Sequence, residues 1–319
     1  MTKVVENRPD SVRKLTIDAG QAGQRIDNFL KRELKGVPTS HIYRILRSGE
    51  VRVNSGRVKP AYRLGAGDVL RIPPVRRGAD STVCVPGHLL TDVEAAVLLE
   101  DDNFLALDKP AGMAVHGGSG LGFGLIDALR QSRPQAPFLT LVHRLDRATS
   151  GCLLVAKTRA ALTEVHALLR NGRVEKRYLA LLAGSLPQHP LLTDEPLVRA
   201  AHAGERRTRI SADGKSAQTE FIVWERFERC TLAAVRIGTG RTHQIRVHAA
   251  GLGHPVAGDD KYGDFAFNRE LRRLGLNRLF LHAWRLEFSL PACGRRYRIE
   301  AQLPPGLRQF VDVLRDECA

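Results

Sequence analysis

The spacing of apolar residues changes its period within the first seventy residues. Apolar positions at helical spacing predict one helix over residues 25–34 and a second, short helix over residues 40–46, with Ser40 as its cap. After Gly49 the period becomes two, and turns rich in Gly, Asn and Asp interrupt it. This second pattern predicts three short strands, over residues 51–53, 58–64 and 69–72. We therefore expect two helices followed by a small sheet.

The regular pattern stops at a stretch rich in proline and glycine. Paired prolines near its start and a Pro-Gly pair near its end predict a linker over residues 75–93. The linker separates a small domain of residues 12–74 from a large domain of residues 94–319. A total length of 319 residues agrees with a chain of two domains.

Short apolar runs alternate with a few helical segments in the large domain. One helix is predicted over residues 159–169, with Thr158 as its cap. Strands are predicted over residues 95–99, 104–107, 138–142, 152–156, 174–182 and 231–237. The regular βαβ alternation of a parallel sheet is missing from this pattern. The predicted fold class is α+β: a small helix-and-hairpin module followed by a mixed, mainly antiparallel sheet.

The chain is strongly basic, and the positive charge is concentrated near the N-terminus. It contains 49 Lys and Arg against 34 Asp and Glu, which gives a net charge of +15. Residues 1–93 alone contain 17 basic and nine acidic residues. Such an excess predicts a polyanionic partner. The small module has no room for a pocket, so a binding role would depend on its exposed basic residues, Arg44, Arg47, Arg52, Arg57 and Lys59. The alternative is an ordinary solvated charged face.

Several classes of protein are excluded by the sequence. No apolar run reaches the ~18–20 residues that a membrane span needs, and residues 1–10 lack the features of a secretion signal. We therefore expect a soluble, cytoplasmic protein. The eleven histidines include no HExxH pair and the cysteines include no CxxC pair, so no metal site is expected. We expect reduced, mostly buried thiols at Cys84, Cys152, Cys230, Cys293 and Cys318.

A glycine-rich segment at residues 116–124 is a candidate for a nucleotide-binding loop. Its sequence, HGGSGLGFG, fits neither GxGxxG nor GxxxxGK[ST] in register. We therefore predict a surface loop at this position and no nucleotide cofactor.

One carboxylate lies in a loop between two apolar runs. Residues 143–151 have the sequence HRLDRATSG, in which Arg144 and Arg147 flank Asp146. Nearby cations would keep Asp146 ionised and available as a nucleophile. For an arbitrary loop aspartate the more ordinary role is to cap the turn through Thr149 or Ser150.

Two later segments carry further candidate residues. Tyr178 lies in a predicted strand between basic residues, a position where a tyrosine usually packs in the core. A helix is predicted to begin within residues 238–248, with Thr242 as its cap. His243 and Arg246 are three residues apart, so both can face one side near the positive end of that helix. The alternative is a capped helix with a solvated arginine.

Taken together, these segments resemble the RluA-type pseudouridine synthases. The HRLDxxTSG element is intact at residues 143–151, the (K/R)xYxA element surrounds Tyr178, and GRTHQIRVH occupies residues 240–248. A leading KPxGxxVH element matches residues 109–116. The small basic module resembles the S4-type RNA-binding module, which favours contact with RNA phosphates over a solvated face. The resemblance covers the chain from about residue 12 onward.

The resemblance implies an activity and a role for each matching residue. It implies isomerisation of uridines in 23S ribosomal RNA, free or in large-subunit assembly intermediates, without a cofactor, a metal or an obligatory protein partner. Asp146 matches the catalytic aspartate and Tyr178 the tyrosine that packs on the uracil and is a candidate for taking its C5 proton. Arg246 matches the basic partner of the aspartate, and Arg144 the arginine that fills the space of the flipped base.

Two other functions fit part of the sequence. A ribosomal RNA-binding or ribosome-assembly protein would need the basic module but not the set of Asp146, Tyr178 and Arg246. A nucleoside hydrolase or glycosidase breaks the same bond, but that class commonly uses two matched carboxylates or a metal, and no second acid has comparable motif support. The sequence leaves open whether Asp146 attacks the ribose, attacks uracil C6 or acts through a glycal.

Overall fold

The computed structural model describes residues 11–34, 36–75, 85–117, 122–202 and 205–317. The chain forms two compact units, Met1–Cys84 and Val85–Ala319. The predicted linker differs from this division. Its residues 76–84 lie outside the described residues, whereas Val85 and Val93 are buried in the core of the second unit.

The first unit combines two helices with a four-stranded sheet in its described residues. The helices pack on one face of the sheet, where Phe29, Ile45 and Leu70 are fully buried. The sheet order is β1-β4-β2-β3. The elements are β1 (Arg13–Thr16), α1 (Ile26–Glu33), α2 (Thr39–Arg47), β2 (Arg52–Val53), β3 (Gly56–Arg57) and β4 (Val69–Ile72).

Two local predictions for this unit were wrong. The predicted cap Ser40 lies inside α2, because Pro38 precedes the helix and its carbonyl accepts the N–H groups of His41 and Ile42. The predicted strand over residues 58–64 is a loop instead. Its backbone bonds the segment that begins α1: the Tyr62 carbonyl accepts the N–H of Ile26 at 2.8 Å. Strand β1 was not predicted.

The second unit contains a ten-stranded sheet and a separate hairpin of β11 and β12. Its described elements are α3 (Gly87–Ala95), β5 (Val97–Glu100), β6 (Phe104–Lys109), α4 (Leu125–Ser132), β7 (Thr140–Leu141), β8 (Ser150–Ala156), α5 (Arg159–Arg170), β9 (Glu175–Ala183), β10 (Leu191–Thr193), β11 (Leu197–His202), β12 (Glu205–Ile210), β13 (Thr219–Arg226), β14 (Cys230–Ile237), α6 (Gln244–Gly251), α7 (Phe265–Arg273), β15 (Leu281–Ser289), β16 (Arg296–Glu300) and α8 (Pro305–Glu317). Helix α5 and its Thr158 cap confirm the prediction, since the Thr158 side chain accepts the N–H of Ala161.

The large sheet is mixed and mainly antiparallel, as predicted. Its main path runs β10-β13-β14-β9-β15-β8-β6-β5, with β16 paired to β15 and β7 paired to β8. Among the strand pairs of the described residues, only β8 with β15 is parallel. None of the described helices is long and apolar enough to cross a membrane.

Alternate residues of the strands enter different cores on the two faces of the sheet. On β9, Tyr178 and Ala180 face a core that includes α4 and α6, whereas Leu181 faces a core with α7 and α8. On β8, Leu154 packs with residues of α5. Because both faces are covered, the strands are largely apolar on both sides.

Of the predicted buried thiols, Cys152 and Cys230 are buried and Cys293 is exposed, whereas residues 84 and 318 lie outside the described residues.

The parallel pairing of β8 with β15 fixes where the segment that contains Asp146 ends. Gly151 has φ of 110°, and a Cβ at this position would lie 2.2 Å from the carbonyl oxygen of Ala283. Only glycine fits so close to the neighbouring backbone. The glycine at the end of the HRLDRATSG segment is therefore required by this strand contact.

A buried polar chain crosses the same strand pair. Arg278 donates to Ser150 Oγ at 2.8 Å, and Ser150 Oγ lies 2.9 Å from Nδ1 of His282. The other ring nitrogen, Nε2, lies 3.0 Å from the carbonyl of Ala301, which can only accept. His282 therefore carries its proton on Nε2 and accepts at Nδ1. Burial lowers the pKa of His282 to about 4.

We expect His282 to make folding sensitive to acid. Because the pKa of His282 is about 4 in the fold, below its ordinary value, the unfolded chain binds a proton first as the pH falls from about 6.5 to 4. Replacing His282→Gln should remove roughly 2 kcal/mol of the fall in unfolding free energy between pH 7 and pH 4.5, measured by urea unfolding. The matched control is the replacement of exposed His189→Gln. Equal pH dependence in both variants and the wild type would contradict the assignment.

Candidate active site

Asp146 lies in the loop between β7 and β8 and opens onto a cleft of about 980 Å³. Its backbone carbonyl, not its carboxylate, accepts the N–H of Thr149 at 3.1 Å. Its carboxylate is therefore available for contacts across the cleft, and the side chain is 25% exposed. Polar residues that line the cleft include His116, Arg144, Asp146, Lys176, Tyr178 and Arg199.

The carboxylate of Asp146 is held on one oxygen only. Arg246 Nη1 lies 3.5 Å from Oδ2, and His243 Nε2 lies 3.9 Å from the same oxygen. Within the part of the chain that the structure describes, no protein group hydrogen-bonds Oδ1. The cations that flank Asp146 in the sequence do not pair with it, since Arg144 is exposed and Arg147 donates from Nε to the carbonyl of Gly112. The arginine that pairs with Asp146 is therefore Arg246, and not one of the two arginines beside it in the sequence.

Arg246 is held in turn by a buried carboxylate that the sequence did not indicate. Its Nε and Nη2 atoms each lie 2.7 Å from an oxygen of Asp259, whose side chain is completely buried. Burial alone would raise the pKa of Asp259, but the Arg246 guanidinium lowers it below its ordinary value. Burial opposes the charge of Arg246, and the two carboxylates raise its pKa above the ordinary value. Both groups are therefore ionised at neutral pH.

Helix α6 begins one residue later than predicted. His243, not Thr242, precedes the first helical residue, and it adopts a left-handed conformation with φ of 55°. The N–H of Arg241 is taken by the side-chain oxygen of Gln244 at 3.0 Å. Histidine is among the residues found in this conformation more often than most others. The turn directs His243 and Arg246 toward Asp146, so the prediction that both face one side is confirmed.

Tyr178 enters the cleft from the middle of β9. Its side chain is almost fully buried, and its ring belongs to the same core as Leu145 of the Asp146 loop. Burial first, and the nearby charge of Asp146 second, raise the pKa of the Tyr178 phenol above its ordinary value. The hydroxyl is therefore protonated at neutral pH.

The N-terminal end of the Asp146 loop is bonded to strand β8. The N–H of Val142 donates to the carbonyl of Leu154 at 2.9 Å, and the N–H of Leu154 donates to Nε2 of His143 at 3.2 Å. Since that nitrogen accepts, the proton of His143 is on Nδ1. Burial lowers the pKa of His143 to about 4, so the ring is neutral.

The C-terminal end of the loop is held by a buried lysine. The ammonium of Lys109 donates to the carbonyls of Pro110 and Met113 at 2.8 Å and of Arg147 at 3.2 Å. Burial lowers the pKa of Lys109 to about 7. The KPxGxxVH element contained this residue, but its spacing alone gave no indication of the contact.

The glycine-rich segment begins and ends on one aspartate. The N–H groups of Gly117 and Gly124 both donate to Oδ2 of Asp127, at 3.2 and 2.9 Å. Residues 118–121 of the predicted surface loop lie outside the described residues. Asp127 thus places His116 beside the cleft.

A second candidate surface lies on the sheet of the first unit. In the strand register, Arg52 lies opposite both Arg57 and Arg71, and Arg71 lies opposite Lys14. We call these four residues the cation row. None of the four has a carboxylate within 4 Å among the described residues. Like charges directly opposite each other destabilise a sheet, which an anion bound along the row would offset.

The other basic residues predicted in this unit are also accessible. Arg44 and Arg47 are exposed on α2, and Lys59 is exposed in the loop after β3. The nearest polar contacts of the two arginines are His41 and the carbonyl of Tyr43. Sequence analysis predicted Arg52 and Arg57 as binding residues but not Lys14 and Arg71. Only strand pairing brings Lys14 and Arg71 beside the two predicted arginines.

The second unit brings a carboxylate and cations together at one cleft. In the described ranges, no group of three or more His, Cys, Asp and Glu is arranged to hold a metal ion. Asp146, Tyr178, Arg246 and Arg144 all line one region of the second unit. Arg44, Arg47, Arg52 and Lys59 belong to the first unit.

Comparison with known proteins agrees with this arrangement. A family model described as RNA pseudouridylate synthase matches residues 103–251, and an S4 domain model matches residues 24–70. The chain is 52% identical over 314 residues to ribosomal large subunit pseudouridine synthase C of Escherichia coli strain K12, covering 96% of this chain and 98% of that protein. It is 51% identical over 310 residues to the protein of the same name from Pasteurella multocida strain Pm70, covering 96% of this chain and 95% of that protein.

Solved structures show the same relationship. Human RNA pseudouridylate synthase domain containing 4 matches 72% of this chain and 96% of its own, with a TM-score of 0.60 and 27% identity. Human RNA pseudouridylate synthase domain containing 1 covers 69% of this chain and 94% of its own, with a TM-score of 0.52 and 26% identity. The predicted fold class and enzyme class are thereby confirmed. The chain belongs to the RNA pseudouridylate synthase family.

Proposed function

We propose that this enzyme isomerises uridines to pseudouridine in 23S ribosomal RNA, with Asp146 as the nucleophile on a flipped-out nucleotide. The observation that carries the proposal is the hold on Asp146, whose Oδ2 faces Arg246 and His243. In the reaction the bond between N1 and the ribose breaks, a bond from C5 to the ribose forms, and the C5 proton is lost as N1 gains one. No electron is gained or lost, so the reaction requires no redox cofactor.

Arg246 orients the carboxylate of Asp146 and places a positive charge beside it. With two of its nitrogens fixed on Asp259, the guanidinium cannot rotate without losing that bidentate pair. Its third nitrogen then attracts Oδ2 of Asp146 and leaves Oδ1 toward the cleft. Attack at the ribose, attack at uracil C6 and removal of a ribose proton all require this ionised, oriented oxygen.

Tyr178 and Arg144 have roles that follow from their surroundings. We assign the ring of Tyr178 to packing against the uracil. Because its phenol is protonated, the hydroxyl can accept the C5 proton only while it donates its own proton to another group. A stacked base must leave the helix before its glycosidic bond is accessible, at a cost of a few kcal/mol. Arg144 is exposed at the cleft, where its planar guanidinium can stack in the vacated position.

The RNA substrate is supported by the relatives and by the charge of the first unit. The bacterial relatives are named ribosomal large subunit pseudouridine synthase C. We infer that Arg44, Arg47, Lys59 and the cation row, including Arg52, contact RNA phosphates. The substrate is then 23S ribosomal RNA or a large-subunit assembly intermediate, without an obligatory protein partner.

The direct test of the activity is the replacement Asp146→Asn. It keeps the size of the side chain but removes the anionic nucleophile, so we expect no detectable pseudouridine in single-turnover assays with excess enzyme. The variant should melt within a few degrees of the wild type and bind ribosomal RNA comparably. The matched replacement of exposed Asp213→Asn should keep wild-type activity. Substantial product from Asp146→Asn, without deamidation back to aspartate, would contradict the proposal.

A salt titration tests the cation row. We expect the double variant Arg52→Gln/Arg57→Gln to bind ribosomal RNA more weakly, and the slope of log K against log salt to become shallower by roughly 1.5–2, because fewer phosphate counterions are released. The control is Arg296→Gln/Arg298→Gln, which removes two exposed arginines that pair with carboxylates on β15 and β16. Equal slopes in the two double variants would remove the cation row from the RNA-binding surface.

A further inference from the structure

A tyrosine outside the predicted site joins three segments around Asp146. Tyr262 Oη accepts the N–H of Thr208 at 3.0 Å and lies 2.8 Å from Nδ1 of His243. The Tyr262 ring also lies 5.2 Å from the Arg246 guanidinium. Through these contacts, the β11–β12 hairpin, the start of α6 and the segment after α6 meet at one hydroxyl.

The Tyr262 hydroxyl and the Asp146 carboxylate together select the tautomer of His243. A backbone N–H can only donate, so Tyr262 Oη accepts from Thr208 and retains its own proton. When the Tyr262 hydroxyl donates a hydrogen bond to Nδ1 of His243, the hydrogen of the imidazole ring itself is on Nε2. In the opposite tautomer a ring lone pair would face the Asp146 carboxylate 3.9 Å away, which is electrostatically unfavourable. Hydroxyl and carboxylate therefore select the same tautomer.

The groups around His243 keep the ring neutral. It is reached by the negative charges of Asp146 and Asp259 and by the positive charges of Arg246 and Lys261. On the side of β12, the His243 ring is linked to the neutral Thr208 by the Tyr262 hydroxyl. Burial lowers the pKa of His243, the cations lower it further, and the carboxylates oppose this only in part. The ring is then a neutral donor beside an anionic oxygen.

We propose that His243 is a positioning residue of the pseudouridine reaction, which as the Nε2–H tautomer fixed by Tyr262 acts with Arg246 to hold Oδ2 of Asp146 so that Oδ1 faces the nucleotide. The inference rests on the proposed role of Asp146 as nucleophile. The present distance of 3.9 Å is longer than a hydrogen bond. Catalytic contacts of this kind commonly tighten only when substrate is bound.

Two variants at one position separate the donor from the backbone. Gln and Ala are equally unsuited to the left-handed conformation at residue 243, so His243→Gln and His243→Ala share the backbone cost. Only Gln can place an N–H near the former Nε2. We expect His243→Ala to lower the single-turnover rate roughly tenfold or more, with RNA affinity within twofold of wild type, and His243→Gln to retain most of the rate.

The pH profile provides a readout that a purely structural role would not change. A donated hydrogen bond favours the charged form of a carboxylate, so the acid limb of the rate profile should move to higher pH in His243→Ala and stay near wild type in His243→Gln. Tyr262→Phe keeps the ring on Arg246 but loses the hydroxyl, and it should also slow the reaction and move the acid limb upward. This second variant decides the question if His243→Ala does not fold.

The outcomes separate this inference from the proposed function. A wild-type enzyme that forms no pseudouridine would overturn the proposed function and the inference with it. An active wild type with Asp146→Asn inactive, together with unchanged acid limbs in His243→Ala and Tyr262→Phe, would overturn the inference alone. Equal losses in His243→Gln and His243→Ala would also overturn it, because the donor would then be irrelevant.

Discussion

The site depends on one guanidinium held between two carboxylates. Arg246 binds Asp259 through two nitrogens in the protein interior and reaches Asp146 with the third. A buried cation with this geometry is stable only because the bidentate pair compensates its lost hydration. The pair also removes the rotational freedom of the guanidinium, so the position of its remaining nitrogen is fixed. The orientation of Asp146 therefore follows from a contact on the side of Arg246 that faces away from the cleft.

The backbone around Asp146 is also fixed, by contacts at both ends of its loop. Lys109 ties the loop to the segment after β6 through three carbonyls, and His143 ties it to β8. Both side chains are buried with lowered pKa, which means that their burial has an electrostatic cost. The fold accepts that cost at both ends of the loop that contains Asp146. At the start of β8, Gly151 lies directly against the backbone of Ala283 on β15.

The sequence predicts those parts of the structure that depend on neighbouring residues. Helix α5 and its Thr158 cap follow from local spacing, and so does the strand that contains Tyr178. The predicted caps at Ser40 and Thr242 were wrong because Pro38 and the left-handed His243 set those helix starts. Motif resemblance pointed to Asp146, Tyr178 and Arg246. Asp259, Tyr262, and the place of Lys14 and Arg71 in the cation row depend on contacts between distant segments that no local pattern records.

We attribute the orientation of Asp146 to the geometry of Arg246 and not only to its charge. The replacement Arg246→Lys tests this most directly, because lysine keeps the positive charge but lacks the planar fork that binds Asp259 and reaches Asp146 together. The measurement is the single-turnover rate of pseudouridine formation in ribosomal RNA by the folded variant, with RNA affinity determined in parallel. We expect a rate loss on the order of 100-fold with nearly unchanged affinity. A rate close to that of the wild-type enzyme would contradict it.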